Sequence, residues 1–244
     1  MGKVKKIIIW VVVILVLSNL ASTMYFGYSA YWGPFKGLNT YKITNAYDAK
    51  TEQEEIIFYG ASNFGRWTTM DDDLADYKVQ NHAFGGSTDK DLVKYADRLL
   101  YPYNPKIVVF QTGSNDYVLM EGNDQEKIEK AMAYKKEMFE KFHEKLPDAN
   151  FIVMSGLLLP GRSEYTEMTE EINRQLEELS SEYDYIHFVD ASEMTYKDGN
   201  YNKSLFVEDE IHLNEKGQDI WKTDYIVPAL EEVIKEKNLD SVRN

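Results

Sequence analysis

No cysteine occurs in the 244 residues, which excludes disulfides, a thiolate nucleophile and cysteine-ligated zinc or iron–sulfur sites. Histidine is nearly as scarce. His82, His143, His187 and His212 are the only imidazoles and no pair is spaced His-x-x-x-His, so a helical zinc pair is absent and neither metal nor cofactor is expected. Positive charge is the third shortage: 27 basic residues face 41 acidic ones, a net −14. Without Lys3, Lys5 and Lys6 the balance is 24 against 41, or −17. A field of that sign repels phosphate backbones, so nucleic acid is not an expected partner. Asp71-Asp72-Asp73 reads as a solvated turn, because adjacent carboxylates point in different directions and do not converge on a cation.

Charge of either sign is missing from Ile7 to Tyr28, a stretch that begins IIIWVVVILVL and ends among Tyr25, Phe26, Tyr28, Tyr31 and Trp32. About 20 apolar residues cross a bilayer as helix, and aromatic rings favour its interface. Residues 7–28 therefore read as a membrane-spanning anchor, with the three lysines before it placing its amino end in the cytoplasm. The rival is a cleaved signal peptide; Tyr28-Ser29-Ala30 makes a poor cleavage site. Either way the remainder lies outside the cytoplasmic membrane, in the cell membrane's outer face or secreted. The division expected is 1–32 basic end and anchor, 33–54 tether with a short strand at Tyr41–Ile43, and 55–244 a single folded domain, since 43% hydrophobic and 14% aromatic residues suffice for one core.

Within that domain, short apolar runs alternate with longer amphipathic ones. Strands are expected at Ile56–Tyr59, Lys78–His82, Lys106–Gln111, Phe151–Ser155 and Tyr185–Val189. Helices are expected after Ser62 to about Tyr77, then at Asp89–Leu100, Asp124–Lys145, Tyr165–Tyr183 and Glu215–Lys237, the last kinked at Pro228. Five alternations of this kind predict an α/β fold, a three-layer sandwich around a five-stranded parallel sheet.

In such a sheet ligands bind outside the carboxyl ends of the strands. Ser62 follows the first strand in EIIFYGAS, Gly85 and Gly86 follow the second, Asn115 the third, and His212 lies beyond the fifth. All fall on one edge. Acyl transfer needs a nucleophile, a base and donors aimed at the developing oxyanion. Ser62 and His212 supply the first two; the Ser62 and Gly86 backbone N–H groups and the Asn115 amide supply the donors. Asp209, Glu208 and Glu210 are all close enough to orient the imidazole.

The blocks GAS (60–62), NHAFGGST (81–88), GSND (113–116) and DEIH (209–212) resemble, in order, the four signature blocks of the SGNH or GDSL hydrolases, over about Ile56 to Pro228. The resemblance implies Ser62 as nucleophile, Gly86 and Asn115 as oxyanion donors, and Asp209 with His212, the family's Asp-x-x-His, completing a triad. It also implies a flavodoxin-like sheet of order 2-1-3-4-5. Ala61 stands where the family usually has Asp and Ala83 where it often has Gly; both read as packing changes. Arg66, Trp67, Arg162 and Tyr165 follow the first and fourth strands and are secondary candidates for contacting a substrate carboxylate or sugar ring. His82 and His187 read as structural, His143 as part of a solvated helix face, and Asp116 as a turn or cap residue.

The function expected is an extracytoplasmic serine esterase acting on O-acyl, foremost O-acetyl, groups of a carbohydrate or other small ester. One alternative is an O-acyltransferase passing the acyl group to a cell-surface polysaccharide. The other is a non-catalytic glycan-binding domain.

Overall fold

The computed structural model describes residues 2–32 and 36–244, and for 26–32 their backbone. Gly33 and Pro34 of the expected tether, and the rings of Phe26, Tyr28, Tyr31 and Trp32, lie outside what is described. Helix α1 (Lys3–Trp32) contains an apolar stretch, Lys3–Tyr25, of 23 residues with none of it buried, long enough to cross a bilayer.

Helix α2 (Lys36–Ala46) replaces the strand expected at Tyr41–Ile43. Its sequence, KGLNTYKITNA, has no apolar stripe to announce a helix; tertiary contacts supply what periodicity does not. Thr40 is fully buried and its Oγ1 accepts from Arg98 Nη1 at 3.3 Å, while Ile43, Tyr47 and Ala49 pack on the core. Residues 36–46 are thus a docked helix.

The sheet follows: β1 (Ile56–Gly60), one-turn helices α3 (Ser62–Gly65) and α4 (Met70–Asp73), β2 (Val79–Asn81), α5 (Asp89–Leu99), β3 (Ile107–Gln111), α6 (Ser114–Leu119), α7 (Asp124–Lys145), β4 (Asn150–Met154), α8 (Thr166–Ser180) and β5 (Ile186–Val189). All pairs are parallel and the order is β2-β1-β3-β4-β5. After β5 come α9 (Ser192–Thr195), a small hairpin β6 (Tyr196–Lys197) and β7 (Asn200–Tyr201), α10 (Glu215–Trp221) and α11 (Val227–Lys237). Instead of one kinked helix, α10 and α11 are joined by a π-helical turn, Lys222–Ile226. Pro228 has no N–H to return to the preceding turn, and the wider turn accommodates that.

Side chains alternate across the sheet, so each strand feeds two cores. Ile56, Phe58, Val109 and Ile152 face Trp67, Trp221, Leu230 and Val233. Ile57, Tyr59, Val108 and Phe151 face Leu92, Phe139, Phe142 and Ile172 on α5, α7 and α8. Full burial of each such side chain contributes roughly 1.5–3 kcal/mol. Two residues expected elsewhere, Trp67 at the substrate site and His143 on a solvated face, pack against these cores instead. Trp67 is 1% exposed, its Nε1 donating to Asp73 Oδ2 at 2.6 Å. His143 stacks flat on Tyr185, 3.6 Å between ring centroids, and is no part of a solvated face.

His82 is buried and donates Nδ1–H to the Leu99 carbonyl at 2.5 Å; burial lowers its pKa to about 4, so it stays neutral. Among the described residues no group of three or more acidic or histidine side chains is arranged to hold a metal ion.

Candidate active site

Ser62 opens α3 at the carboxyl end of β1, where Ala61 is the last extended residue, and Ala61 N–H donates to Gln111 O on the neighbouring strand β3. The turn is fastened from two sides. Asn81 at the end of β2 donates Nδ2–H to Phe64 O at 2.8 Å, and Asn63 Oδ1 accepts from Leu213 N–H at 3.0 Å, tying the Ser62 turn to the His212 loop.

That loop is itself a compact turn. Asp209 Oδ1 accepts from Ile211 N–H and His212 N–H, both at 2.9 Å, Val207 N–H donates to His212 O at 2.9 Å, and Glu210 takes a positive φ of 55°. Asp209 Oδ2 lies 2.7 Å from His212 Nδ1, and His212 Nε2 lies 2.8 Å from Ser62 Oγ. Burial alone would raise the Asp209 pKa, but hydrogen bonds from the His212 backbone and ring and from Ile211 outweigh it and bring it to about 2. An ionised carboxylate only accepts, so Nδ1 carries the proton and Nε2 offers its lone pair to the Ser62 hydroxyl. Burial lowers the His212 pKa below the usual imidazole value; the Asp209 hydrogen bond opposes this, and the nearby Arg66 and Arg162 charges add to it. The imidazole is therefore neutral near pH 7, as a general base must be. Of the three carboxylates open to that role, Glu210 pairs with Lys203 at 2.7 Å and Asp209 alone meets the ring.

On the other side of Ser62, Gly86 takes φ +72°, a conformation costly for any residue with a Cβ. Among the described residues nothing accepts from the Ser62 or Gly86 backbone N–H, so both are available to a ligand. Asn115, on the first turn of α6, sits between two neighbours. Arg162 Nη1 and Nη2 donate to its Oδ1 at 3.2 and 3.3 Å, and its Nδ2 donates to Ser87 O at 3.1 Å. A guanidinium has no acceptor, so the atom facing it must be the oxygen; the amide orientation is fixed and one Nδ2–H remains for a ligand. Arg162 is placed by the turn after β4, where Gly161 N–H donates to Glu210 O and a Cβ on Gly161 would come within 2.7 Å of Asp209 O.

Sequence reading did not anticipate this coupling of Arg162 to Asn115, nor Ser114, whose Oγ accepts from Arg162 at 2.6 Å, nor the Asn63 and Asn81 fasteners. It also missed what lies beneath Asn115. Lys135 is buried with Asp89, 3.0 Å apart, and donates to Thr112 Oγ1 at 2.7 Å; Asp116 Oδ1 accepts from Asp89 N–H, and burial plus the Asp89 charge raise the Asp116 pKa to about 8. Of the secondary candidates, Arg66 lies beside the triad, 3.4 Å from Asp209 Oδ2 and about half exposed, and Arg162 beside Asn115. Tyr165 is half-buried against Tyr117, ring centroids 5.5 Å apart, and Trp67 is in the core.

A family model described as the GDSL-like lipase/acylhydrolase family matches residues 43–220. The chain belongs to this family. It is an ester hydrolase of the SGNH/GDSL type, with the five-stranded sheet in the order expected of it. No curated protein sequence matches it. Three solved structures share the family fold at low identity. A GDSL-like lipase from Bacteroides thetaiotaomicron is 19% identical, with TM-score 0.62 over 78% of this chain and 94% of that one. The catalytic domain of Streptococcus pneumoniae peptidoglycan O-acetyltransferase A is 17% identical, TM-score 0.54, over 75% and 96%. A family 3 carbohydrate esterase from Clostridium thermocellum is 16% identical, TM-score 0.53, over 74% and 98%.

Proposed function

We propose that this GDSL-family hydrolase is a membrane-anchored, extracytoplasmic serine esterase that removes O-acyl groups, foremost O-acetyl, from a carbohydrate. The observation that carries the reading is the unbroken relay Ser62 Oγ to His212 to Asp209, with the imidazole held neutral. His212 Nε2 takes the Ser62 proton as Oγ attacks the acyl carbonyl. The Ser62 and Gly86 N–H groups and the Asn115 amide receive the oxyanion, His212 returns the proton to the leaving alcohol, and an acyl-enzyme remains. Water, activated by the same imidazole, then releases the acid and restores Ser62. Arg66 and Arg162 border the open edge and contact the alcohol portion. The anchor reading rests on α1, and the carbohydrate on the family's neighbours, which include a carbohydrate esterase.

A second reading keeps the acyl-enzyme and replaces water by a sugar hydroxyl of a cell-surface polysaccharide; the O-acetyltransferase domain among the neighbours favours it. The test is release of acetate from p-nitrophenyl acetate, beside a longer acyl ester, with and without an oligosaccharide acceptor. Fast acetate release without acceptor is expected. Acyl-enzyme that accumulates until a sugar is added would contradict hydrolysis and select transfer.

Asn115→Ala should lower kcat about 10²- to 10³-fold, the loss of one oxyanion donor, with a smaller change in KM. An unchanged kcat would remove Asn115 from the oxyanion site. Arg66→Gln should move the acid limb of kcat/KM to higher pH. The Arg66 charge is one of the effects lowering the His212 pKa, so without it the imidazole protonates earlier as pH falls and activity is lost at a higher pH. A limb that stays put or moves down would contradict the geometry.

A further inference from the structure

Helix α2 determines which edge of the domain lies next to α1. Lys36, its first residue, places Nζ 2.5 Å from Asp91 Oδ2 in the first turn of α5, at the carboxyl edge of the sheet. A Cβ on Gly86 would lie 3.8 Å from Lys36 Cε. Further along, Thr40 meets Arg98 near the other end of α5, and the Tyr47 carbonyl accepts from the Tyr103 hydroxyl at 3.3 Å, in the turn that precedes β3. So α2 runs down the domain starting from the catalytic edge. Helix α1 ends at Trp32, and the chain from there to Lys36 extends at most about 14 Å. Lys36 thus lies beside Gly86, whose neighbour Ser87 accepts from Asn115 Nδ2 through its carbonyl.

The surface agrees with that placement. Beyond α1, the exposed large apolar side chains among the described residues are Leu38 and Tyr41 on α2, Val118 and Leu119 on the helix that carries Asn115, and Val207, which begins the turn carrying Asp209 and His212. Leu119 is 71% exposed. Helix α2 also carries no acidic residue and, besides Lys36 paired with Asp91, an exposed Lys42, in a domain whose charge is otherwise strongly negative. Exposed apolar side chains on the helix that carries Asn115 and the turn that carries His212, with a helix free of acidic residues alongside, suit a lipid surface, which the rest of this acidic domain would avoid.

We propose that the catalytic edge faces the outer leaflet and that the ester it takes is carried at that surface on an amphiphile, with Val118, Leu119 and Val207 resting on the lipid. This deepens the anchored-esterase reading and depends on α1 remaining in the membrane.

The test uses the full chain in phosphatidylglycerol–phosphatidylcholine vesicles. Because the chain has no cysteine, Leu119→Cys and Asp148→Cys each take a single dye, the second just before β4 at the opposite edge of the sheet. Energy transfer to a headgroup-labelled lipid should be stronger from position 119; equal or reversed transfer overturns the proposal. A 30-residue Gly-Ser spacer inserted between Trp32 and Lys36 has an r.m.s. reach of roughly 30 Å. It should lower hydrolysis of hexadecyl 4-acetoxybenzoate held in the vesicles at least tenfold and leave hydrolysis of soluble p-nitrophenyl acetate unchanged. Equal loss on both esters, or none on either, overturns the proposal and leaves the esterase reading standing. A wild-type chain washed off by carbonate overturns the anchor and the proposal together. If wild type cleaves neither ester the esterase reading fails, and the energy transfer still decides the orientation.

Discussion

Ser62→Ala is expected to reduce kcat by on the order of 10⁶, with the protein as stable as wild type. The hydroxyl is bonded to His212 Nε2, and the turn that presents it is held by other residues: Asn63 to Leu213, Asn81 to Phe64, and Ala61 to Gln111. Alanine fits that turn, so the melting temperature should move little while the chemistry loses its nucleophile. What survives is the oxyanion donors and substrate binding, which leave roughly 10³ to 10⁴ over the uncatalysed reaction. Initial rates on p-nitrophenyl acetate, together with a thermal melt, check both halves. A mutant that is active, or one that is inactive because it is unfolded, would each contradict the assignment in a different way.

Asp209→Asn should cost about 10⁴-fold in kcat. The side chain holds the turn through Oδ1, which accepts two backbone N–H bonds, and orients the ring through Oδ2. An asparagine keeps its oxygen on those two donors and so turns its NH₂ toward His212 Nδ1. That nitrogen must then accept, the ring proton moves to Nε2, and Nε2 can no longer take the Ser62 proton. The fold is preserved and the tautomer is wrong. Glu208→Gln and Glu210→Gln are the controls, since Glu210 is paired with Lys203 and neither carboxylate meets the ring; each should stay within a few-fold of wild type. Equal losses at all three positions would mean that local acidity, and not the Asp209 to His212 bond, sustains the activity.

How much of this was legible in the sequence differs by element. Strand β3 and helix α7 were read almost to the residue, because a fully apolar run and a capped amphipathic helix each have one physical reading; Asn123 and Glu126 form the box that starts α7. Ser62, Asn115 and His212 were placed on one edge because parallel strands must all end there. Helix α2 was not legible, since its helicity comes from docking on α5 through Lys36 and Thr40 and not from its own pattern. Trp67 is a substrate-contact candidate on position alone; its indole is instead buried in the core, with Nε1 held by Asp73 Oδ2, a contact that nearness to Ser62 does not encode. Arg162 was a candidate on position alone. Its hold on Asn115 joins the turn after β4 to helix α6, 47 residues apart, and no local spacing encodes that.

The most direct measurement is the intact mass and peptide map of the protein after reaction with a fluorophosphonate, for wild type, Ser62→Ala and His212→Ala. The account predicts one phosphonyl group on the peptide containing Ser62, formed quickly in wild type, absent in Ser62→Ala and slow in His212→Ala. A label on another residue, or none on a folded wild-type protein, would contradict it.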